Sequence, residues 1–360
     1  MLFLRDEEVR QVLTMAMCLD ALEVAFRDLA RGEAANRPRS DVEVALGNGT
    51  DYRLKSMDGV VRSLGVAAMR VSTDVVRYEG GRLRELAPGS GGIRWQGLVL
   101  LFDIHTGEPL AMMPDAYLSP MRVGATSGLG ARYLARTGAT VLGLYGSSSQ
   151  AVGLLMGLSA VRKITKVCVY SPTRRSREEF ARKAEGRFGC EVIPVEKPRD
   201  AAAGADIIGL ATNSLRPVVD ADWLEPGMHV TTVFWPDLDS RCCERGDIVV
   251  ANVRPRPDRG DVDVYRLPSE QDAAGCEGGP SRAQARGAAG AELDWQSMFT
   301  LGEVLVGKTA ARNSDDQITV HVNNVGLGMQ FAATALRVYE EARRRGVGQE
   351  LPRDLFVEHA

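Results

Sequence analysis

The chain has 360 residues, 44% of them hydrophobic, and a net charge of −3, which is enough for two globular domains with ordinary cores. The near-neutral charge argues against a nucleic-acid-binding protein, and no apolar run is long enough to span a membrane. The N-terminus has no apolar signal-peptide core, so a cytoplasmic protein is expected. The six cysteines form no Cys-x-x-Cys pair supported by histidine, and no metal site is predicted.

The N-terminal third has the pattern of an α+β unit. Apolar residues recur at helical spacing over Val12–Arg31, and Gly32 ends the pattern. Four segments are predicted strands of an antiparallel sheet: Tyr52–Met57, Gly65–Val71, Leu98–Phe102 and Leu110–Met113, the last two joined by a turn at Asp103–Gly107. Residues 1–115 therefore carry no signature of a parallel sheet.

A predicted helix over Tyr117–Thr137 leads to a strand–turn–helix signal at Thr140–Ala151. An apolar run ends at Gly146, small polar residues follow, and a helical pattern begins at Gln150. This is the form of the first turn of a dinucleotide-binding unit, in which a glycine makes the tight turn and the helix N-terminus receives a pyrophosphate. Ser148 replaces the second glycine of that fingerprint.

Strands and helices alternate after this turn, which predicts a parallel sheet with right-handed crossovers. The predicted strands are Lys166–Ser171, Glu191–Val195, Asp206–Ala211, Met228–Phe234, Asp247–Ala251 and Gln317–Val322, and the predicted helices are Thr173–Phe188 and Arg199–Ala203. Residues 254–291, rich in Gly, Ala, Arg and Pro, are predicted to be a flexible insertion. A long helix over Asn324–Arg345 is free to pack back on the N-terminal unit.

These pieces, in this order, resemble the ornithine cyclodeaminase/mu-crystallin family over nearly the whole chain. The resemblance is carried by Asp103–Pro109, Met121–Ser127, Gly146–Ala151, Ala205–Ser214, Pro226–Val230 and Leu301–Gly307. Within the family, Leu54–Gly59, Met121–Ser127 and Val169–Thr173 are similar to a sub-branch whose members are called tyramine oxidase subunits.

The family resemblance implies an α/β protein with two domains. A Rossmann-like parallel-sheet domain is expected at residues 125–322. An α+β domain for dimerisation and substrate binding is expected at residues 1–124 with 323–360, completed by the C-terminal helix. The resemblance also implies a homodimer that acts on small amino or imino acids.

Cofactor-binding residues are predicted at three places. The turn residues are Gly146, Ser147, Ser148, Ser149, Gln150 and Ala151; Ser171, Thr173 and Arg174 follow the second strand; and Thr212, Asn213 and Ser214 lie near the nicotinamide. The second strand ends without a carboxylate for a ribose 2′-hydroxyl, whereas serine, threonine and guanidinium groups suit a 2′-phosphate, which favours NADP(H) over NAD(H). Two alternatives stay open: Thr173 only caps a helix, and the serine run no longer binds nucleotide.

Fixed cations are predicted to bind a substrate carboxylate. Arg122, at the start of the linking helix, matches a family arginine, and Arg39 matches another. Asn323 and Asn324 are further predicted substrate contacts. Arg70 aligns with a family lysine, and because arginine stays charged it can bind and polarise but cannot relay a proton.

Asp237 and His321 are the predicted proton donors. Counting from the Gly-x-His-Val motif, the aspartate position of cyclodeaminases falls on Pro236, and Asp237 is one residue later. His321 ends the last strand, where relatives carry Lys or Ser close to the nicotinamide; a structural role for it stays open.

Three functional hypotheses follow. The first is an NAD(P)H-dependent reductase of an imine, a ketimine or a related amino-acid substrate. The second is a non-catalytic homodimer that binds a small ligand or a partner enzyme, such as an accessory subunit of an amine-metabolising enzyme; Ser148 favours it, as does loss of the aspartate if Asp237 does not take its place. Ornithine cyclodeamination is weakest, because changes fall on both proton-handling positions, Arg70 and Pro236.

Overall fold

Two β-sheets organise the chain, one mainly antiparallel and one parallel. The computed structural model describes residues 1–79, 82–86, 95, 97–254, 262–267, 293–309 and 311–357. The strands are β1 Leu2–Phe3, β2 Ala34–Asn36, β3 Arg39–Gly47, β4 Thr50–Val61, β5 Val66–Glu79, β6 Arg82–Leu86, β7 Leu98–Asp103, β8 Pro109–Pro114, β9 Val141–Tyr145, β10 Lys166–Tyr170, β11 Glu191–Val195, β12 Ile207–Leu210, β13 His229–Thr232, β14 Ile248–Ala251, β15 Val262–Leu267, β16 Phe299–Thr300, β17 Thr319–Val322 and β18 Gln349–Glu350. The helices are α1 Asp6–Val12, α2 Met15–Arg31, α3 Leu118–Leu134, α4 Ser149–Ser159, α5 Arg174–Phe188, α6 Pro198–Ala202, α7 Arg241–Glu244, α8 Leu301–Leu305 and α9 Gly328–Arg345.

The mainly antiparallel sheet has the order β15-β3-β4-β5-β7-β8-β1-β18, with β2 paired to β4 and β6 paired to β5. The predicted antiparallel strands are confirmed, and β4 and β5 are longer than predicted. Two edge pairings are parallel, β1 with β8 and β15 with β3. Each brings together segments that are distant in sequence, so no local pattern indicated them.

Strand β15 lies within residues 254–291, the insertion that was predicted to be flexible. Residues 262–267 pair in parallel with β3, from Arg39 to Val44. Backbone hydrogen bonds alone can hold such an edge strand, so it needs no strong side-chain periodicity. The rest of the predicted insertion after residue 254, residues 255–261 and 268–291, lies outside the described residues.

Three helices cover one face of the antiparallel sheet. Helix α2 begins at Thr14, whose Oγ1 accepts from the Met17 amide at 3.3 Å, and ends at Gly32 with φ +77°. Helices α2, α3 and α9 share one apolar core with β4, β5, β7 and β8. Helix α9 begins at Gly328, four residues later than predicted, and a Cβ atom at this residue would clash with the Asp58 backbone. The predicted return of the C-terminal helix to this sheet is confirmed.

The second sheet is parallel throughout, in the order β11-β10-β9-β12-β13-β17-β14-β16. Its strand order reverses at β9, which has β10 on one side and β12 on the other, and such a switch point opens a crevice at the carboxyl ends of the strands. The Rossmann-like fold class is therefore confirmed. The division into domains at residues 125 and 322 stays a prediction.

Helices α3 and α4 cross very closely in front of this sheet. A Cβ atom at Gly124 would clash with the backbone of Gly153, and one at Gly128 would clash with Gly157. These four glycines allow the close crossing. Helix α3 therefore extends from the core of the antiparallel sheet to the opening of the crevice.

None of the helices within the described ranges combines the length and the apolar character needed to cross a bilayer.

Candidate functional site

A cavity of about 740 Å³ lies at the carboxyl ends of the parallel strands, next to the antiparallel sheet. Its size suits a cofactor with a small substrate. The predicted site residues that line it are Arg39, Arg122, Gly146, Ser147, Ser148, Ser149, Gln150, Ser171, Thr173, Thr212, Asn213, Ser214, Asn323 and Asn324. Five predicted residues do not line it: Arg70, Ala151, Arg174, Asp237 and His321.

The turn between β9 and α4 keeps the features that a pyrophosphate requires. Gly146 has φ +110°, and a Cβ atom there would clash with the Ala211 carbonyl, so only glycine fits. Ser148 is the N-cap of α4 but makes no side-chain capping hydrogen bond, which leaves the first amides of the helix available. Gln150 Oε1 is buried without a hydrogen-bond partner among the described residues. These residues fit a dinucleotide. Ala151 packs into the core behind the turn instead.

The end of β10 offers hydroxyl groups and no carboxylate. Ser171 and Thr173 line the cavity, and Ser147 Oγ donates to Ser171 Oγ at 3.3 Å. Arg174 does not reach the cavity, because it lies on the solvent face of α5 and donates to Glu178 at 2.7 Å, one helical turn away. Thr173 is the N-cap of α5 without a side-chain capping bond, so its hydroxyl is not used by the helix.

Sequence reasoning missed Arg177, which holds this loop from behind. Its Nη1 donates to the Ser171 carbonyl at 3.2 Å, and the side chain is buried. The signal was available in principle, since Arg177 lies one turn into a helix that begins beside the predicted phosphate site.

Arg122 lines the cavity, and its guanidinium group is only partly hydrogen-bonded. Nη1 donates to the neutral Gln330 Oε1 at 3.0 Å, while Nε is buried with no hydrogen-bond partner among the described residues. Burial lowers the pKa of Arg122 to about 9, and the neighbouring cations Arg70 and Arg39 add to this effect. The guanidinium lies 4.9 Å above the Phe331 ring. A buried cation with an unused donor is suited to an anionic ligand such as a carboxylate.

Arg39 and Arg70 are both held by carboxylates. Arg39 forms two hydrogen bonds with Asp41 and still lines the cavity. Arg70 donates from Nε to Asp115 at 2.7 Å and lies beneath the cavity wall. On the sheet, Arg70 is opposite Met57, and it is Met57 that lines the cavity. Arg70 therefore does not itself line the cavity, although its charge acts on Arg122, and its role at the substrate site stays a prediction.

Lys55, which sequence reasoning did not select, lies in the same charged layer of the antiparallel sheet. It is buried and pairs with Asp74 through Nζ at 2.5 Å. Burial lowers the pKa of Lys55 to about 7, with Arg39 and Arg70 contributing in the same direction. Lys55 does not line the cavity.

Asp237 lies beneath the Thr212 loop and does not line the cavity. Thr212 Oγ1 donates to one carboxylate oxygen at 2.8 Å, and Thr232 Oγ1 donates to the other at 2.7 Å. Burial raises the pKa of Asp237 to about 7. The short 3-10 turn Trp235–Asp237 folds the carboxylate back under the Thr212 loop, and Phe234 takes the place at the cavity wall.

His321 is also buried away from the cavity. Its Nε2 lies 3.1 Å from Asn252 Oδ1, its Nδ1 lies 3.5 Å from Thr231 Oγ1, and burial lowers its pKa to about 4. The ring points from β17 under α3, where it fills the space beside Gly130. The proton-donor roles of Asp237 and His321 stay predictions that this geometry does not favour.

Strand β6 also lines the cavity, through Leu83, Arg84 and Glu85, and was missed from the sequence. Asn213 Nδ2 donates to the Leu83 carbonyl at 2.9 Å, which joins the antiparallel sheet to the crevice. The two glycines before β6, between apolar-alternating runs, are a hairpin signal that could have located it.

Known proteins with the same architecture are similar along the whole chain. The chain is 29% identical to the alanine dehydrogenase of Archaeoglobus fulgidus, over 97% of this chain and 98% of that protein. The structure of Delta(1)-pyrroline-2-carboxylate reductase of Thermococcus litoralis, in complex with NADH and L-proline, has a TM-score of 0.79 and 27% identity, covering 98% of this chain and 100% of the other. An archaeal alanine dehydrogenase dimer with bound NAD has a TM-score of 0.76 and 26% identity, covering 98% of each.

These similarities agree with the predicted nicotinamide-dependent oxidoreductase class. The family model for the ornithine cyclodeaminase/mu-crystallin family matches residues 1–346. That match covers both sheets apart from β18, the Gly146 turn and helix α9, and it confirms the resemblance found in the sequence motifs. The chain belongs to the ornithine cyclodeaminase/mu-crystallin family.

Proposed function

We propose that the protein is an NAD(P)H-dependent reductase of an imine or ketimine that bears a carboxylate. The observation that carries the proposal is that Arg122, with its unpartnered Nε, and the Gly146 turn open into one cavity. An anion-binding cation next to a dinucleotide turn is what such a reaction requires. The names of the similar proteins, an imine reductase and an amino-acid dehydrogenase, support the same class of substrate.

Each part of the cavity has a role in this reaction. The α4 N-terminus and the serine run hold the pyrophosphate. Arg122, with Arg39 beside it, holds the substrate carboxylate and orients the C=N bond. A bound reduced nicotinamide supplies the hydride. Phe234 and Met57 exclude water from this end of the cavity.

The placement of Asp237 and His321 favours imine reduction over cyclodeamination. An imine that binds in its protonated form already carries the proton on nitrogen, so hydride addition to carbon completes the amine without an acid from the protein. Cyclodeamination instead requires proton transfers during loss of ammonia. Neither predicted proton donor lines the cavity, and Arg70 cannot relay protons.

For the cofactor, we propose a preference for NADP(H) over NAD(H). The solved relatives contain NADH or NAD, so the preference rests on this chain's own residues. Ser171 and Thr173 line the cavity where a carboxylate would bind the ribose 2′-hydroxyl of NAD(H). The Ser171→Asp variant should reverse the preference, changing the ratio of dissociation constants by about tenfold or more through repulsion of the 2′-phosphate. Fluorescence titration with both cofactors measures the ratio, and tighter NADH binding by the unmodified protein would contradict the proposal.

We also propose that the protein is a homodimer, as the solved archaeal relative is a dimer. The outer face of the antiparallel sheet supports this, because Val42, Leu46 and Leu54 are exposed there. Sedimentation equilibrium should give twice the chain mass; a monomer at micromolar concentration would contradict the proposal.

A panel of cyclic imino acids, with Delta(1)-pyrroline-2-carboxylate first, tests the reaction against both cofactors. Loss of NAD(P)H absorbance that depends on the imine is the expected result. Saturable cofactor binding without turnover of any imine would support the non-catalytic, partner-binding homodimer instead. The absence of saturable binding of either cofactor would exclude the reductase.

A further inference from the structure

A chain of buried side chains runs from β17 to the cavity wall through Asn252, a residue that the sequence analysis did not select. Asn252 follows β14 and is fully buried. Its Nδ2 donates to Asn323 Oδ1 and to the Val325 carbonyl, and its Oδ1 faces His321 Nε2 at 3.1 Å. The Asn252 backbone amide donates to Asn324 Oδ1 at 3.2 Å.

Backbone carbonyls, which can only accept, fix the direction of the bonds made by the Asn252 and Asn323 side chains. Because Asn252 binds the Val325 carbonyl, its NH2 group must be on that side, and its oxygen must face His321. His321 Nε2 must therefore carry the proton. At the other end, Asn323 Nδ2 faces the Val123 carbonyl at 3.4 Å, which places Asn323 Oδ1 toward Asn252.

We propose that the Asn252 side chain, oriented by His321, is a positioning residue that fixes Asn323 at the nicotinamide side of the cavity, while the Asn252 backbone amide holds Asn324. Both asparagines line the cavity, and both are bonded to Asn252. His321 acts here as a neutral hydrogen-bond donor and does not transfer a proton to the substrate. Thr231 Oγ1, at 3.5 Å from Nδ1, completes the arrangement by donating to the unprotonated nitrogen. The inference rests on the proposed reductase function for its kinetic test, but not for its spectroscopic test.

The spectroscopic test uses the full-length protein labelled with 15N in its four histidines. The His321 resonances are identified by their loss in the His321→Gln variant. Nitrogen chemical shifts at neutral pH should show an uncharged ring protonated at Nε2. A ring protonated at Nδ1, or a charged ring, would overturn the proposal whether or not the protein reduces imines.

The kinetic test compares Asn252→Ala, His321→Ala and His321→Gln, with Delta(1)-pyrroline-2-carboxylate as substrate and NADPH titration as a binding readout. The alanine variants leave buried partners unsatisfied, and kcat should fall about tenfold while the fold is kept. Gln can place its NH2 group near the position of Nε2, so His321→Gln should stay within about threefold of the parent, with an unchanged pH profile. A general acid at position 321 would instead lose about a hundredfold or more in His321→Gln, with loss of one limb of the pH profile, and that result would overturn the proposal.

Discussion

At the scale of single residues, Arg122 shows what sequence alone can and cannot establish. Its type and its place at the start of α3 identified it as a carboxylate-binding candidate. Its hydrogen-bonding state could not be foreseen. Gln330, which accepts from Nη1, comes from a helix more than two hundred residues later, and Nε has no partner among the described residues. The same holds for Arg70, which lies beside Met57 in the strand register and pairs with Asp115. The identity of a site cation is local information, whereas its state of pairing is tertiary.

Replacing Arg122 with methionine should raise the KM for a carboxylate-bearing imine by about tenfold to a hundredfold, because charged hydrogen bonds to the substrate are lost. Steady-state kinetics measure the effect. Arg174→Met is the matched control, since Arg174 is an exposed arginine that pairs with Glu178 outside the cavity. An unchanged KM in the Arg122 variant would remove Arg122 from the substrate site.

Two buried histidines predict how stability depends on pH. Burial lowers the pKa of His321 to about 4 and that of His229 well below its ordinary value of 6.5. Below the ordinary pKa, each histidine binds a proton in the unfolded chain but stays neutral in the folded protein. The free energy of unfolding therefore falls by about 1.4 kcal/mol per pH unit for each histidine as the pH falls from 6.5 toward the folded pKa. Above pH 6.5 this contribution is constant.

The free energy of unfolding, measured by urea denaturation over about two pH units from about pH 7 to about pH 5, gives this slope. The His321→Gln variant should have the shallower dependence. His105→Gln, a change at an exposed turn residue, is the control and should keep the parent slope. Equal slopes for His321→Gln and the parent would contradict the burial of a neutral His321.

At the scale of elements, the long periodic segments were predictable and the short edge segments were not. Helices α2 and α3 and the alternation from β9 to β14 follow apolar periodicities that depend on local sequence alone. Strand β15 is held at a sheet edge by backbone pairing with the distant strand β3, and strand β6 forms a short hairpin with β5 whose side-chain pattern is weak. The Trp235–Asp237 turn was also missed. It buries the Asp237 carboxylate, and the cost of that burial is offset by hydrogen bonds from Thr212 and Thr232, which follow or end two strands.

The β9–α4 turn gives a test at this scale. Gly146→Ala introduces a Cβ at φ +110° against the Ala211 carbonyl, so the turn must distort. The dissociation constant for NADPH should rise at least about tenfold, as measured by fluorescence titration. Gly204→Ala is the control, because Gly204 has φ +66° but no atom within 4 Å of an added Cβ. That variant carries the backbone strain alone, about 1 kcal/mol of stability, and should bind NADPH as the parent does. Equal binding by the two variants would show that the turn does not hold the cofactor.

At the scale of the whole molecule, function depends on how the two sheets meet. The antiparallel sheet supplies Arg39, Met57 and strand β6, and the parallel sheet supplies the cofactor crevice. Helix α3 and the bond from Asn213 to Leu83 join them at the cavity. The family resemblance predicted this arrangement from motif order, but only the structure separates the residues that face the cavity from those that support it.

The measurement that tests the central claim most directly is transfer of deuterium from NADPH, carrying deuterium at both hydrogen positions of nicotinamide C4, to Delta(1)-pyrroline-2-carboxylate. Mass spectrometry of the product should show proline with one deuterium on the carbon that was double-bonded to nitrogen, and little deuterated product under the same conditions with the Arg122→Met variant. Proline formed without deuterium would contradict hydride transfer from the cofactor. An equal amount of deuterated proline from the Arg122→Met variant at low substrate concentration would contradict binding of the substrate carboxylate by Arg122.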